Sequence, residues 1–271
     1  MSSIDTIRSQ PVPRRISLRG DWIYPVATVA CTLLLWEGVC RMAAVPPWLL
    51  PAPWQIAVAG FAVPMAMWFE HLQATLRVVL MGFGLALVIS FPLAIAITVS
   101  PVFRRCIYPL LVIVQSTPVV AVAPILVVTL GATELPRVVI TAMITFFPLV
   151  VGISTGLAQT PSELIELSRS LGAPIANQYR HIRLPFALPY IFSAIRVSIT
   201  LAVIGAVVAE FVAAEKGIGY FIRSSTSFFK IPQAFAALLV LVASSLFLFQ
   251  AVNLVQRFLF PRSLPAGSGQ S

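Results

Sequence analysis

A hydrocarbon core about 30 Å thick takes a helix of about 20 mostly apolar residues, and this chain contains six such stretches. They run from Tyr24 to Met42, Thr75 to Val99, Ile107 to Leu130, Pro136 to Leu157, Phe186 to Ala214 and Pro232 to Phe260. No other feature constrains the fold as strongly, because in lipid every backbone polar group must be satisfied within the chain, as helices do. Charged side chains make up only 10% of the 271 residues, against about 25% in a soluble domain. A surface facing water on all sides is excluded. The expected fold class is all-α integral membrane with six transmembrane helices, residues 24–260. Residues 1–23 form an N-terminal arm and 261–271 a C-terminal tail.

The eighteen Lys and Arg against nine Asp and Glu give a net charge of +9. A basic balance points to nucleic acid only when the charge clusters on one face. Here it is scattered between apolar blocks, so nucleic acid is not an expected partner and the arginines report orientation in the bilayer. With the N-terminus inside, the cytoplasmic pieces hold eleven cations, among them Arg14, Arg15, Arg19, Arg104, Arg105 and Arg183. The other side holds Arg41, Arg77, Arg137, Lys216, Arg223 and Lys230. Both termini are therefore expected in the cytoplasm. The first apolar block exceeds the 7–15 residues of a signal-peptide core and carries Glu37, so it reads as an uncleaved span. Trp54–Gly60, in a Pro- and Trp-rich stretch, reads as a short interfacial helix. Cys31, Cys40 and Cys106 have no metal-ligand or disulfide spacing, and His71 and His181 are too far apart to form a pair.

The most polar internal stretch, 159–185, lies between the fourth and fifth spans. Thr160-Pro161-Ser162-Glu163 has the form of a capping box with Pro at the first helical position. Leu164, Leu167 and Leu171 share a helical face, and Gly172 stands where a terminating glycine belongs. A second short helix starts at Ala173-Pro174 and is expected to end at Leu184-Pro185. A short capped helix with an apolar stripe suits either a groove in another protein or the membrane surface.

Glu166-Leu167-Ser168, Gly172 six positions after Glu166, and Ile182-Arg183-Leu184-Pro185 resemble the EAA loop of ABC-importer membrane subunits. Leu167-Ser168 in place of two alanines is the one departure. The chain is similar to the nitrate, sulfonate and taurine branch of those permeases from Trp36 onward. The matching pieces include Trp36-Glu37, Leu50-Pro51-Ala52-Pro53, Thr75-Leu76-Arg77 with Gly82, Pro118 with Pro124, Leu188-Pro189-Tyr190-Ile191, Ala209-Glu210-Phe211 and Gly217-Ile218-Gly219-Tyr220. This resemblance implies a type I importer permease fold in the bacterial inner membrane, with a cytoplasmic coupling helix. It implies a second permease subunit (a homodimer), two ABC ATPase subunits and a periplasmic substrate-binding protein. Carried over, Glu163, Leu164, Glu166, Leu167, Leu171, Gly172 and Pro185 become ATPase-coupling residues. The implied cargo is a small solute, an anion such as taurine, an alkanesulfonate or nitrate.

No phosphate-binding loop of the form G-x-x-x-x-G-K-[ST] is present; Lys216 and Lys230 are the only lysines and neither stands in that context. The chain is thus expected to bind no cofactor, with ATP and Mg used by the partner ATPase, and to be a transport subunit rather than an enzyme. Polar residues inside spans are costly and mark pathways. Gln115, Ser116, Thr117, Thr141, Thr145 and Glu210 are the candidates. Beside Pro118, Ser116 and Thr117 either line a gate or return their hydroxyls to their own backbone. Gly152 and Gly156 form a G-x-x-x-G, read as a helix-packing motif. A self-contained secondary transporter or channel is the competing reading, but it calls for mid-membrane coupling carboxylates and inverted repeats, which this sequence does not display.

Overall fold

The computed structural model describes residues 23–260. The C-terminal tail and all of the arm except Ile23 lie outside them. Within that range the chain is helical throughout: α1 (Ile23–Met42), α2 (Pro53–Phe61), α3 (Met65–Val99), α4 (Pro101–Ser116), α5 (Val119–Leu130), α6 (Glu134–Ala158), α7 (Ser162–Ser170), α8 (Ile175–Gln178), α9 (Leu184–Ala213), α10 (Ile218–Ser227) and α11 (Ile231–Leu259). Five are long and apolar enough to cross a membrane, or six if the bent pair α4–α5 counts as one crossing.

Helices α3, α6 and α9 form the centre, with α6 packed between the other two. Small residues set the spacing. Gly82 of α3 and Gly205 of α9 both abut Thr141 of α6, and Gly152 and Gly156 of α6 lie against Ala194, Ala187 and Tyr190 of α9. The G-x-x-x-G pair is thus a packing surface, as expected. One apolar cluster, around Val78, Val79, Ala202 and Ile218, holds α3, α9, α10 and α11 together. Another, around Ala94, Leu149, Ile153 and Ala187, holds the opposite end of α3, α6 and α9. Helix α1 is almost wholly exposed to its surroundings. It is strapped on by Glu37, whose Oε1 pairs with Arg41 Nε at 2.6 Å while Oε2 accepts the Trp54 N–H at 3.0 Å. That N–H belongs to the first turn of α2, the short helix expected over Trp54–Gly60.

Three local expectations are corrected. The stretch from Ile107 to Leu130 is not one helix: α4 and α5 meet at 90° across Thr117-Pro118. Pro118 supplies no N–H and forces the preceding residue out of the helical region, and Thr117 is extended (φ −76°, ψ 123°). The capping box does not form. Pro161 is the N-cap of α7, and the Thr160 hydroxyl instead donates to Leu157 O at the end of α6. Finally, Leu184-Pro185 does not end a helix, because α8 runs through a π-helical stretch, Tyr179–Arg183, into α9. The Leu184 N–H bonds back to Tyr179 O, five residues away. That wider turn lets Pro185 sit in the first turn of α9, where an α-helical register would lose a hydrogen bond and clash.

Gly156→Leu would drive side-chain atoms into α9, since a Cβ there lies 2.7 Å from Tyr190 Cβ and 3.2 Å from Ala187 O. The expected cost is about 1–3 kcal/mol, read as a lowered Tm of the purified protein in detergent. Gly84→Ala, whose added Cβ points into open space, is expected to keep or slightly raise Tm, because alanine is the better helix former.

Candidate functional site

Helices α7 and α8 form a hairpin at one end of the bundle. A Schellman arrangement ends α7: Gly172 takes φ +68°, its N–H bonds to Arg169 O and the Ala173 N–H bonds to Ser168 O. Only a residue free of the Cβ penalty adopts that conformation cheaply. Gln178 Nε2 donates to Ile165 O and clasps α8 to α7. Ser168 and Gln178 are buried, and Leu164 and Ile165 are half-buried. The exposed apolar ridge is therefore Leu167, Leu171 and Ile175, 56, 76 and 63% exposed, flanked by exposed Glu163 and Glu166. Leu164 faces more inward than the sequence stripe suggested, while Ile175, which the stripe did not include, joins the ridge. Pro185 is exposed too.

At the α4–α5 corner, Gln115, Ser116 and Thr117 are all exposed. Ser116 Oγ donates to Val112 O at 2.8 Å and Thr117 Oγ1 to Ile113 O at 3.1 Å. The two hydroxyls thus return to their own backbone, while Val114 O, which the N–H missing at Pro118 would have met in a continuous helix, accepts the Thr117 N–H instead. Gln115 borders a cavity of about 120 Å³ with Val119, Met143, Ile144 and Leu201. Thr141 and Thr145 do not line a cavity. Both are fully buried and bond to Arg137 O and Thr141 O of their own helix. Thr141 is wedged between the two glycines that let α3 and α9 approach.

Glu210 is also fully buried and lines no open space. It belongs to an arrangement that sequence reasoning missed. At the opposite end of the bundle from α7, the first amides of α10 point at three side chains from two other helices. Gly217 N–H donates to His71 Nδ1 (3.2 Å), Ile218 N–H to Thr75 Oγ1 (2.8 Å) and Gly219 N–H to Glu210 Oε2 (2.7 Å). Helix N-termini leave such donors unsatisfied within the helix. Here α3 and α9 supply the acceptors, so Nδ1 of His71 carries no proton. Gly217 takes φ +125°, and a Cβ at Gly217 would collide with the Glu210 carboxylate. The four-residue spacing of His71 and Thr75 was the available signal, since it places both on one face of α3.

Beside this arrangement lies an open basin of about 510 Å³ whose charged lining includes Glu70, Arg77, Glu134, Arg137, Glu215, Lys216 and Arg223. Lys216 Nζ pairs with Glu70 Oε1 at 2.6 Å, and Arg77 with Glu134 at 3.5 Å. The adjacent Glu70 carboxylate holds the Lys216 ammonium above its ordinary pKa. Arg196 and Glu210 do not meet: Arg196 Nη1 donates to Asn253 Oδ1 and Gln256 Oε1 on α11. No group of three or more metal-binding side chains occurs among the described residues.

The spans, the hairpin at one end and the charged basin at the other define a polytopic helical membrane protein of the permease type. Residues 86–264 match the family of binding-protein-dependent transport system inner membrane components, and the chain belongs to that family. It is 34% identical to the formylaminopyrimidine transport permease protein ThiX of Halalkalibacterium halodurans, over 84% of this chain and 91% of that protein. It is 26% identical to the taurine transport system permease protein TauC of Escherichia coli, over 93% of this chain and 91% of that protein. The fold is similar to that of the MetNI methionine ABC transporter in an inward-facing conformation. The TM-score is 0.64 at 20% identity, covering 71% of this chain and 96% of the matched one. The type I importer permease fold expected from the sequence is therefore the fold observed.

Thr75→Val keeps the shape of the side chain but strands the Ile218 N–H. The expected loss is about 1–3 kcal/mol, the cost of a buried unsatisfied donor. It is measured as a lower Tm together with faster proteolysis between residues 214 and 230. Thr129→Val, whose hydroxyl is exposed and bonds only its own helix, is expected to change neither.

Proposed function

We propose that this chain is the membrane-spanning subunit of an ATP-driven ABC importer, that two copies of it enclose the pathway, and that a periplasmic binding protein delivers the solute. The observation that carries this reading is the exposed Leu167–Leu171–Ile175 ridge with its flanking Glu163 and Glu166, held rigidly at one end of the spans. A rigid apolar ridge edged by charge suits a groove in a second protein, and in this family the seat is on the ATPase subunits. The chain itself binds no cofactor; ATP and Mg act on the ATPase. The α7 end and both termini face the cytoplasm. The exposed apolar faces of α4 and α5, including Val112, Ile113, Val120 and Val128, carry Gln115, Ser116 and Thr117 toward the second copy.

The cargo is a small organic or inorganic anion such as taurine, an alkanesulfonate or nitrate, a reading supported by the taurine relative. A second reading, a nitrogen heterocycle, is favoured by the higher identity to the formylaminopyrimidine permease.

Co-purification with the ATPase subunits, followed by reconstitution with the cognate binding protein, is expected to give uptake that requires ATP. Uptake driven by an ion gradient without the ATPase would overturn the proposal. A binding screen of the periplasmic protein against taurine, nitrate and formylaminopyrimidine decides the cargo. Gly172→Leu has open space for its side chain and pays only the left-handed backbone penalty of about 1–2 kcal/mol. The variant is expected to be present in the membrane yet to lose coupled transport; wild-type uptake would remove the hairpin from the coupling role.

A further inference from the structure

The α7–α8 hairpin is joined to the bundle by more than its covalent connections. Where α8 widens into the π-helical stretch, Tyr179 and Arg183 leave the hairpin in two directions. The Tyr179 hydroxyl donates to Thr98 Oγ1 at 3.1 Å, across 81 positions of sequence. Arg183 Nη1 donates to Leu157 O at 3.3 Å, and its guanidinium lies over the Tyr179 ring, 4.9 Å from the centroid. These contacts fasten the hairpin to the last turns of α3 and α6.

Thr98 stands two residues before Ser100, where α3 turns into α4. Ser100 is the N-cap of α4, its hydroxyl accepting the Phe103 N–H at 3.2 Å. The far end of α4 is the 90° corner at Thr117-Pro118 that carries the exposed Gln115, Ser116 and Thr117. Between its two ends α4 packs through the small cluster of Ile97, Leu111 and Val150 and its neighbours. A displacement of the hairpin therefore reaches the α3–α4 joint through the Tyr179–Thr98 hydrogen bond and the packing of the Tyr179 ring against the cluster around Ala94 and Leu157, and the polar corner through one helix.

We propose that Tyr179 is a positioning residue for transport: its hydrogen bond to Thr98, braced by Arg183 stacked on its ring, connects the hairpin to the α3–α4 joint and so to the α4–α5 corner. This rests on the reading of the hairpin as the coupling element and adds the route by which it acts. The π register has a role in that route. Tyr179 and Arg183, four positions apart, lie side by side, one reaching α3 and the other α6, and the wider turn lets α9 continue past Pro185 without displacing them. Tyr179 touches no solute; it acts through Thr98.

The test uses the assembled importer, with its ATPase and binding protein, in liposomes, measuring solute uptake and ATP hydrolysis together. Tyr179→Phe keeps the ring and its stacking on Arg183 and removes only the hydroxyl. The number of solutes moved per ATP is expected to fall about fivefold, the factor that one neutral hydrogen bond is worth, with complex yield and ATP hydrolysis unchanged. Thr98→Val is expected to produce the same fall. The double variant is expected to be no worse than either single one, because both remove the same interaction. Thr98→Ser, which keeps the acceptor, is expected to restore the wild-type ratio. Wild-type transport per ATP in Tyr179→Phe, or additive losses in the double variant, overturns the route while leaving the importer reading intact. Absence of ATP-dependent uptake by the wild-type complex instead removes the reading on which the route rests.

Discussion

Lipid tails are as apolar as the side chains facing them, so no hydrophobic force draws one span against another inside a bilayer. Close approach of backbones has to hold the bundle together, and in this chain it is concentrated on α6. Thr141 sits between Gly82 and Gly205, and Gly152 and Gly156 admit Ala194, Ala187 and Tyr190. The same contacts explain why two threonines in the middle of a span face no open space within this chain. Once α3 and α9 close on α6 from both sides, no open space remains at Thr141 and Thr145, and their hydroxyls turn to carbonyls of their own helix.

With the centre fixed, each end of the bundle carries a different device. At one end, donors from α10 meet acceptors on α3 and α9, so a short amphipathic helix is docked by polar bonds in a buried setting. At the other end the hairpin is clasped internally by Gln178 and Gly172 and fastened externally through Tyr179 and Arg183. Helix α3 belongs to both, since His71 and Thr75 lie near its first residue and Thr98 near its last. Its 35 residues extend about 50 Å at 1.5 Å per residue, longer than the hydrocarbon core.

Much of this was legible in the sequence. The spans are set by apolar length, and their observed ends fall within a few residues of the apolar limits for α1, α6, α9 and α11. Gly172 and the G-x-x-x-G pair were readable because each answers a single local demand, a left-handed turn and a close contact. What failed was of two kinds. Proline effects were read with the wrong outcome: Pro118 divides a span fully, whereas Pro185 is absorbed by a change of helical register that composition does not signal. Roles fixed by long-range pairing were also hidden. Glu210 reads as a costly intramembrane charge, and nothing near it in the chain announces His71 and Thr75, which share its task from about 140 positions away.

The docking of α10 also shapes the electrostatic field at that end of the protein. An open helix start concentrates partial positive charge and is a ready anion seat. The start of α10 offers no such seat, because an imidazole nitrogen, a hydroxyl and a carboxylate already occupy its first amides. The positive charge at that end therefore resides in the guanidinium and ammonium groups of the basin, where Lys216 is paired with Glu70 and Arg77 with Glu134, and Arg223 is held by the Phe211 carbonyl. Recognition of charge at this end rests on side-chain ion pairs rather than on a fixed backbone cradle, in a family whose members are named for solutes as unlike as taurine and formylaminopyrimidine.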